Sequence, residues 1–262
     1  MLDEKIIKEI ARILVETEDS HGCTDKPSEK YPEMDIKDSY KIQKEVFNIK
    51  TDRGERIIGK KIGLTSEGIR KQIGVYEPDF SLISDANFLR NGDVLDIDKM
   101  NIPRLEPELT FVLKEDLKGT TITNWDVMQA TLGVMASFEI VDTRYRDYQF
   151  TICDTVADSA SYGKIITANK IVPLDNLDLS NIGLSVYKNG KLQKTATSAE
   201  VMGNPINSVT WLANKMIELG QYLKKGDVIL SGSFTPIFDL EKGDYFEAYF
   251  AGIGEIKLNV AK

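Results

Sequence analysis

The chain has 262 residues, with 33 lysines and arginines against 41 aspartates and glutamates, and so a formal net charge of −8. This acidic balance argues against nucleic-acid binding, because neutralising phosphates requires clustered lysine and arginine. The single histidine, His21, and the two cysteines, Cys23 and Cys153, exclude multi-histidine or four-cysteine zinc sites and a disulfide framework. Carboxylates and lysines must therefore carry any acid–base or metal chemistry.

The first part of the chain is predicted to be helical. Apolar residues recur at helical spacing between Met1 and Glu18, and the charged residues among them are not typical of a signal peptide. The loop that follows contains His21 and Cys23, a conceivable nucleophile pair that lacks an orienting partner. Asp35 is predicted to cap a second helix ending near residue 54. No apolar stretch is long enough to span a bilayer, so we expect a cytoplasmic protein without a membrane partner.

From Ile57 onward the sequence is dominated by short β-type runs separated by turn signals. Asn189-Gly190 lies between two such runs and predicts a hairpin turn. The pattern indicates an α+β protein. We expect a helical N-terminal region over residues 1–55 and a mixed, mostly β catalytic domain over residues 56–262, together forming one compact unit.

Two helices are predicted to interrupt these strands. Thr123 or Asn124 would cap the first, which is expected to run to about Met135. The second opens at Asn204-Pro205 and closes at Gly220, which places proline just inside the start and glycine just past the end.

The segment Pro103–Leu113 contains two closely spaced carboxylates. In a strand, Glu106 and Glu108 share one face while the leucines occupy the other. Two like charges at this spacing favour a hard divalent cation between them. Pro107 cannot donate to a ladder, which suggests a bulge, an edge or a strand end. The alternative is a solvent-facing strand that carries two glutamates.

A third carboxylate, Glu139, lies inside an apolar run that ends at Asp142. A buried carboxylate is seldom unpaired, because removing its charge from water is costly. Glu139 therefore either ligates a metal, with Asp142 as the rival ligand, or forms an ion pair. Three arginines are candidates for that pair: Arg104, Arg144 and Arg146.

Two adjacent lysines, Lys60 and Lys61, lie between Gly59 and Gly63 in a β-type run. Strand alternation sends the two side chains to opposite faces, so one points inward and needs an anionic partner. An edge strand protected by lysines would produce the same pattern. Two further motifs, Pro78-Asp79-Phe80 and the segment 154–161, are by themselves typical of turns.

Taken in order, these motifs resemble the 2-keto-4-pentenoate hydratase / 2-oxo-3-enedioate decarboxylase group of the fumarylacetoacetate hydrolase superfamily. The resemblance covers nearly the whole chain and includes Tyr40–Gln43, Gly59–Ser66, Pro78–Phe80, Arg104–Glu108, Glu139–Arg144, Asp154–Ser161, Gly203–Pro205 and Trp211–Ala213. It implies a small helical N-terminal region on a distorted β barrel or roll of the fumarylacetoacetate hydrolase C-terminal type.

The resemblance also implies the site residues. Glu106, Glu108 and Glu139 would hold Mg²⁺ or Mn²⁺, Lys61 and Asp79 would be catalytic, and Leu64 and Ser161 would bind the substrate. One position departs from the family pattern, because Ser159 stands where asparagine is usual.

The implied activity is that of a metal-dependent hydro-lyase in the catabolism of aromatic meta-cleavage products. It would add water to a 2-hydroxy-2,4-dienoate of the 2-oxopent-4-enoate type, giving a 4-hydroxy-2-oxoalkanoate. Phe80 and the segments 154–158 and 231–235 resemble the hydratases, whereas the segment 142–147 is closer to the decarboxylases. We favour the hydratase.

Two alternatives stay open. The first is a decarboxylase of a 2-oxo-3-enedioate such as 4-oxalocrotonate, in which Arg104 or Arg144 would bind the second carboxylate. The second is a non-catalytic partner subunit. The resemblance further implies a homo-oligomer and association with a related decarboxylase or hydratase.

Overall fold

The computed structural model describes the backbone of residues 1–262 and every side chain except those of residues 72 and 73. The helices are α1 (Glu4–Asp19), α2 (Pro27–Lys30), α3 (Ile36–Asp52), α4 (Glu67–Ile73), α5 (Asn124–Ala130), α6 (Ile152–Ala157) and α7 (Pro205–Glu218). The strands are β1 (Ile57–Gly63), β2 (Asp79–Ser84), β3 (Phe88–Arg90), β4 (Val94–Leu95), β5 (Arg104–Leu113), β6 (Thr131–Val141), β7 (Tyr162–Thr167), β8 (Gly183–Lys188), β9 (Lys191–Thr197), β10 (Val228–Ser233), β11 (Phe238–Asp239), β12 (Tyr245–Phe250) and β13 (Gly254–Val260).

Local capping signals correctly predicted where several helices begin. The Asp35 side chain accepts a hydrogen bond from the Asp38 N–H at the start of α3, and Asn204 caps α7 in the same way. Thr123 caps α5 as predicted, but the predicted end near Met135 is wrong, because α5 ends at Ala130. The residues that follow form β6 and pair with β5 along its length, so tertiary pairing overrides the local helical pattern.

The strands form two mixed sheets, and the α+β class is confirmed. The larger sheet has the order β2-β1-β10-β5-β6-β7-β3, with β11 added to β5, and the smaller has the order β4-β13-β12-β8-β9. The hairpin predicted at Asn189-Gly190 joins β8 to β9. The pairing among the described residues closes neither sheet into a complete barrel, so the mostly β body consists of two open sheets.

The two faces of the larger sheet have different coverings. One face packs against the smaller sheet, α5 and α7 in a core that includes Phe111, Phe138 and Phe246. Burying each such side chain contributes about 1.5–3 kcal/mol. On the other face, Phe47 of α3 packs against Leu230 of β10. None of the helices in the described chain is long and apolar enough to cross a membrane.

Two strand interpretations need correction. β1 lies between β2 and β10, so the edge-strand alternative for Lys60 and Lys61 is wrong. Pro107 lies inside β5 opposite Phe138 and not at an edge or strand end. The bulge that the proline also suggested occurs beside it, because the register of neighbouring β10 with β5 shifts between Leu230 and Ser233.

Candidate active site

Three glutamates converge on the face of the larger sheet that α3 covers. Glu106 of β5 lies directly opposite Glu139 of β6, and Glu108 is two residues further along β5. Each glutamate offers an oxygen within 4.8 Å of the others. Glu108 and Glu139 are fully buried, and Glu106 is half-buried. The alternation predicted for β5 therefore holds, and its carboxylate face meets the third carboxylate.

The oxygens of this cluster are incompletely satisfied. Glu108 Oε2 accepts a hydrogen bond of 2.8 Å from the Gly232 N–H. Glu108 Oε1 and Glu139 Oε2 are buried without a hydrogen-bond partner among the described residues. Leaving such atoms unpaired is costly, and a hard cation with oxygen ligands would satisfy them. The residues present therefore fit a divalent metal ion.

Burial also changes the protonation of the cluster. Burial and the neighbouring Glu139 raise the pKa of Glu106 to about 7. Burial, together with the two other carboxylates, raises the pKa of Glu108 well above its ordinary value. The pKa of Glu139 is raised by burial, although Lys61 opposes the shift. A bound cation would favour the deprotonated forms, as ligand chemistry requires.

Lys61 is the cation that pairs with Glu139. Its Nζ lies 3.1 Å from Glu139 Oε1, and its side chain is 3% exposed. Burial lowers the pKa of Lys61, but the carboxylates of Glu139, Asp79 and Glu106 outweigh burial and raise it above its ordinary value. Lys60 points to the opposite face and pairs with Asp227 at 2.6 Å. Both lysines are buried, whereas the sequence predicted only one inward side chain.

The predicted ion pair between Glu139 and an arginine is wrong. The three candidate arginines pair elsewhere: Arg104 with Asp239, Arg144 with Asp158 and Arg146 with Asp25. Lysine replaces them because β1 and β6, distant in the chain, lie in the same sheet. The rival ligand Asp142 is also excluded, since its carboxylate accepts hydrogen bonds from the backbone N–H groups of residues 101 and 102.

Asp79 lies at the start of β2, opposite Gly63 of β1. Its Oδ2 is 3.5 Å from the Thr155 hydroxyl, while Oδ1 is buried without a hydrogen-bond partner in the described part of the chain. Burial raises the pKa of Asp79, and Lys61 opposes this shift. The Pro-Asp motif, which by itself is typical of a turn, therefore marks the beginning of strand β2. The raised pKa of Asp79 makes this carboxyl group able to hold a proton.

The N-terminal helices hold this strand in place. Gln43 of α3 donates hydrogen bonds to the carbonyl of Phe80, at 2.9 Å, and to that of Val156, at 3.0 Å. The ring of Tyr40 stacks on that of Phe80 with centroids 4.8 Å apart. The helical region is therefore part of the framework that fixes Asp79.

The two predicted substrate-binding residues both lie in unusual backbone. Leu64 follows β1 with φ of 56°, and its carbonyl accepts a hydrogen bond from Arg70. Ser159, Ala160 and Ser161 have φ of 55°, 50° and 54°. Left-handed conformations cost non-glycine residues about 1–3 kcal/mol each and concentrate at functional sites. The turn formed by residues 159–161 contacts β2, the strand of Asp79.

Several residues around the cluster were not predicted from the sequence to belong to the site. Thr155 lies within the 154–161 motif, so its hydroxyl could have been proposed from the sequence as a site residue. Gly63 lies within the Gly59–Ser66 motif, so the sequence also offered a signal for this residue. A Cβ atom at position 63 would lie 2.2 Å from Asp79 Oδ1, so only glycine leaves room for that carboxylate. The hydrogen bond from the Gly232 N–H could not be predicted from neighbouring residues, because its acceptor Glu108 is remote in sequence. Cys23 of the weak Cys–His pair lies 3.5 Å from Arg146, outside the carboxylate cluster.

Comparisons with known proteins agree with this geometry. Residues 71–261 match the family described as fumarylacetoacetate (FAA) hydrolase, C-terminal. A 2-hydroxyhexa-2,4-dienoate hydratase of Comamonas testosteroni is 35% identical over 256 residues, which cover 97% of each chain. A 2-oxo-hept-4-ene-1,7-dioate hydratase of Escherichia coli is 35% identical over 232 residues, 86% of this chain and 87% of that protein. The structure of 4-oxalocrotonate decarboxylase from Pseudomonas putida G7, complexed with magnesium and adipate, superposes with a TM-score of 0.97 at 30% identity and 99% coverage of both chains.

Proposed function

The chain belongs to the fumarylacetoacetate hydrolase C-terminal family, and we propose that it is a metal-dependent hydratase of 2-hydroxy-2,4-dienoates in the catabolism of aromatic meta-cleavage products. The observation that carries this proposal is the convergence of Glu106, Glu108 and Glu139 beside Lys61 and Asp79. The similar hydratases of Comamonas testosteroni and Escherichia coli support the reaction type.

The three glutamates would hold Mg²⁺ or Mn²⁺ through their carboxylate oxygens. When bound, the cation supplies Lewis-acid stabilisation to negative charge on the substrate's carboxylate and 2-oxygen atoms. The solved relative that contains magnesium supports this assignment.

The residues around the cluster would move the protons. Asp79, whose pKa is raised, would accept the proton of the 2-hydroxyl group, and a proton would be delivered to C5. Water then adds across the remaining double bond, with hydroxyl at C4 and hydrogen at C3. Lys61 would hold positive charge beside the C1 and C2 oxygens throughout. Ser161 would orient the substrate carboxylate, and Leu64 would contact its carbon chain.

The decisive experiment is product analysis with 2-hydroxypenta-2,4-dienoate and 2-hydroxymuconate in the presence of Mg²⁺. We expect a 4-hydroxy-2-oxoalkanoate from the first substrate and the corresponding 4-hydroxy-2-oxoalkanedioate from the second, without release of CO₂. Evolution of CO₂ without a hydrated product would establish the second candidate, a decarboxylase, which the superposition on 4-oxalocrotonate decarboxylase supports.

A parallel metal titration tests the site itself. We expect Glu106→Ala to lose divalent-metal binding and turnover together. Unchanged metal affinity in this variant would contradict the three-glutamate site. Metal binding by the wild-type protein without turnover of any of these substrates would favour the non-catalytic partner subunit.

We also propose that the helical region and the β domain form one compact unit and that the protein is a homo-oligomer. It would associate with a related decarboxylase or hydratase and be located in the cytoplasm. Light scattering of the purified protein and cell fractionation would test the oligomeric state and the location. Co-purification with a related enzyme would test the association.

A further inference from the structure

The exposed end of the candidate site contains a cation that the proposed reaction does not use. Along one face of β5, Thr110 and Glu108 are fully buried, Glu106 is half-buried and the Arg104 side chain is 28% exposed. Alternate residues of a strand share a face, so these four side chains form one row. Exposure rises along this row, and the site therefore opens to solvent beside Arg104.

Arg104 is held at this opening by an aromatic ring and a carboxylate. Its guanidinium carbon lies 4.4 Å from the centre of the Tyr148 ring. The Tyr148 hydroxyl donates a 2.9 Å hydrogen bond to the Ile102 carbonyl, which anchors the ring beside β5. Arg104 Nε lies 2.9 Å from Asp239 Oδ1, and no other carboxylate in the described chain pairs with this arginine. Because Asp239 contacts Nε, the Nη groups retain donors for another anion.

The other candidate cation, Arg144, is fully engaged elsewhere. Its Nη1 donates to the carbonyls of Asp142 and Tyr162 at 2.8 and 2.7 Å, and its Nε and Nη2 contact Asp158. The residue is 5% exposed. Arg144 therefore stabilises the loop that precedes the left-handed turn, and Arg104 is the arginine available to a ligand.

We propose that Arg104 determines substrate specificity by receiving the far end of the substrate, and that this end is a carboxylate. Arg104 lies two residues from Glu106 along β5, which separates their Cα atoms by about 6.6 Å. A short carbon chain that begins at the cation-binding glutamates can span this distance. A guanidinium fork binds a carboxylate with two parallel hydrogen bonds. Asp239 is 80% exposed, so solvent screens its competing charge.

This inference rests on the proposed function and refines its substrate from the pentenoate type to a dienoate with a second carboxylate. It does not depend on whether water addition or decarboxylation follows. A binding experiment can therefore test it separately from the chemistry.

The probes are 2-oxoadipate and 2-oxohexanoate, which have the same chain length and the same 2-oxo acid group and differ only in the far carboxylate. Neither contains a carbon–carbon double bond, so neither can undergo the proposed addition of water. Titration calorimetry with Mg²⁺ present would compare the wild-type protein with Arg104→Met, which keeps an unbranched side chain over Tyr148 but removes the charge. Asp239→Asn is the second variant, since it removes the competing carboxylate and leaves Arg104 intact.

We expect the wild-type protein to bind 2-oxoadipate about tenfold or more tightly than 2-oxohexanoate, as an added charged hydrogen bond provides. In Arg104→Met this ratio should fall to about one through loss of 2-oxoadipate affinity alone. In Asp239→Asn the ratio should rise. An unchanged ratio in Arg104→Met, or no preference in the wild-type protein, would overturn the inference while leaving the proposed hydratase intact. Failure to bind either probe would contradict the proposed site and this inference with it.

Discussion

Lys61 Nζ lies 3.1 Å from Glu139 Oε1, and this ion pair joins β1 to β6, two strands that are far apart in the sequence. This pair explains how a glutamate can lie inside the apolar run of β6. It also places the Lys61 ammonium group beside the oxygens that would hold a divalent cation. Lys61 compensates the charge of Glu139 in the folded protein, and in the proposed reaction it would also supply positive charge to the substrate.

Replacing this lysine separates the two roles. We expect Lys61→Met to abolish turnover and to destabilise the metal-free protein by about 3–5 kcal/mol, because the buried Glu139 loses its partner. Metal affinity should persist, since all three glutamates remain. Urea unfolding with and without Mg²⁺, together with a turnover assay, would measure these effects.

Lys60→Met is the matched control. Lys60 is also buried, but it pairs with Asp227 on the opposite face of β1. We expect Lys60→Met to lower the free energy of unfolding while leaving turnover close to that of the wild-type protein. Near-normal turnover in Lys61→Met would contradict the catalytic assignment.

Metal binding should depend on pH. In the metal-free protein the pKa of Glu106 is raised from 4.5 to about 7, and those of Glu108 and Glu139 are raised as well. A raised carboxyl pKa stabilises the metal-free fold below pH 4.5, and this contribution is lost as the pH rises through about 7. Binding of a cation requires deprotonation, so affinity should increase over the same range.

The thermal unfolding midpoint gives a direct measurement of this effect. We expect saturating Mg²⁺ to raise it more at about pH 8 than at about pH 5.5. Calorimetry near pH 6, in buffers with different ionisation enthalpies, should detect proton release on binding. Equal stabilisation at both pH values, with no proton release, would argue against ligation by these carboxyl groups.

Gly63 leaves the space that the Asp79 carboxylate needs. A Cβ atom at position 63 would lie 2.2 Å from Asp79 Oδ1 and 3.6 Å from Lys61 Nζ. We expect Gly63→Ala to displace Asp79 and reduce turnover by about 100-fold, since small displacements of catalytic groups have effects of this size. Mn²⁺ binding, followed by electron paramagnetic resonance, should be retained.

Gly68→Ala provides a control, because a Cβ atom there would lie 3.8 Å from the Ser66 hydroxyl, an ordinary contact. Its turnover should remain close to that of the wild-type protein. The account of Gly63 fails if Gly63→Ala turns over substrate as fast as this control.

The Thr155 hydroxyl, 3.5 Å from Asp79 Oδ2, is expected to orient that carboxylate. Thr155→Val removes the hydroxyl while keeping the shape of the side chain. We expect kcat to fall by about tenfold, in line with the loss of one hydrogen bond to a charged group, with little change in KM. Thr155→Ser should restore most of kcat. A decrease of the same size in both variants would indicate a packing defect instead.

The sequence alone determined the features that depend on neighbouring residues. Strand alternation correctly placed Glu106 and Glu108 on one face of β5, and capping signals located the starts of α3 and α7. The position of Glu139 in an apolar run made it a candidate ligand, with an ion pair as the alternative. The family resemblance chose the ligand role and added Lys61 and Asp79, and the structure brings these residues together.

Tertiary structure decided which distant residues meet. The partner of Glu139 is Lys61 rather than an arginine, because strand order and not sequence separation brings β1 and β6 into one sheet. Strand pairing also ends α5 at Ala130, because the hydrogen-bonded ladder between β6 and β5 outweighs the weak helical preference of the residues after Ala130. The separate environments of Arg104 and Arg144, one at an opening and one buried, likewise arise only when the sheet and its covering loops assemble. Local spacing sets which face a side chain occupies, whereas the packing of remote segments sets its partner, its burial and its charge state.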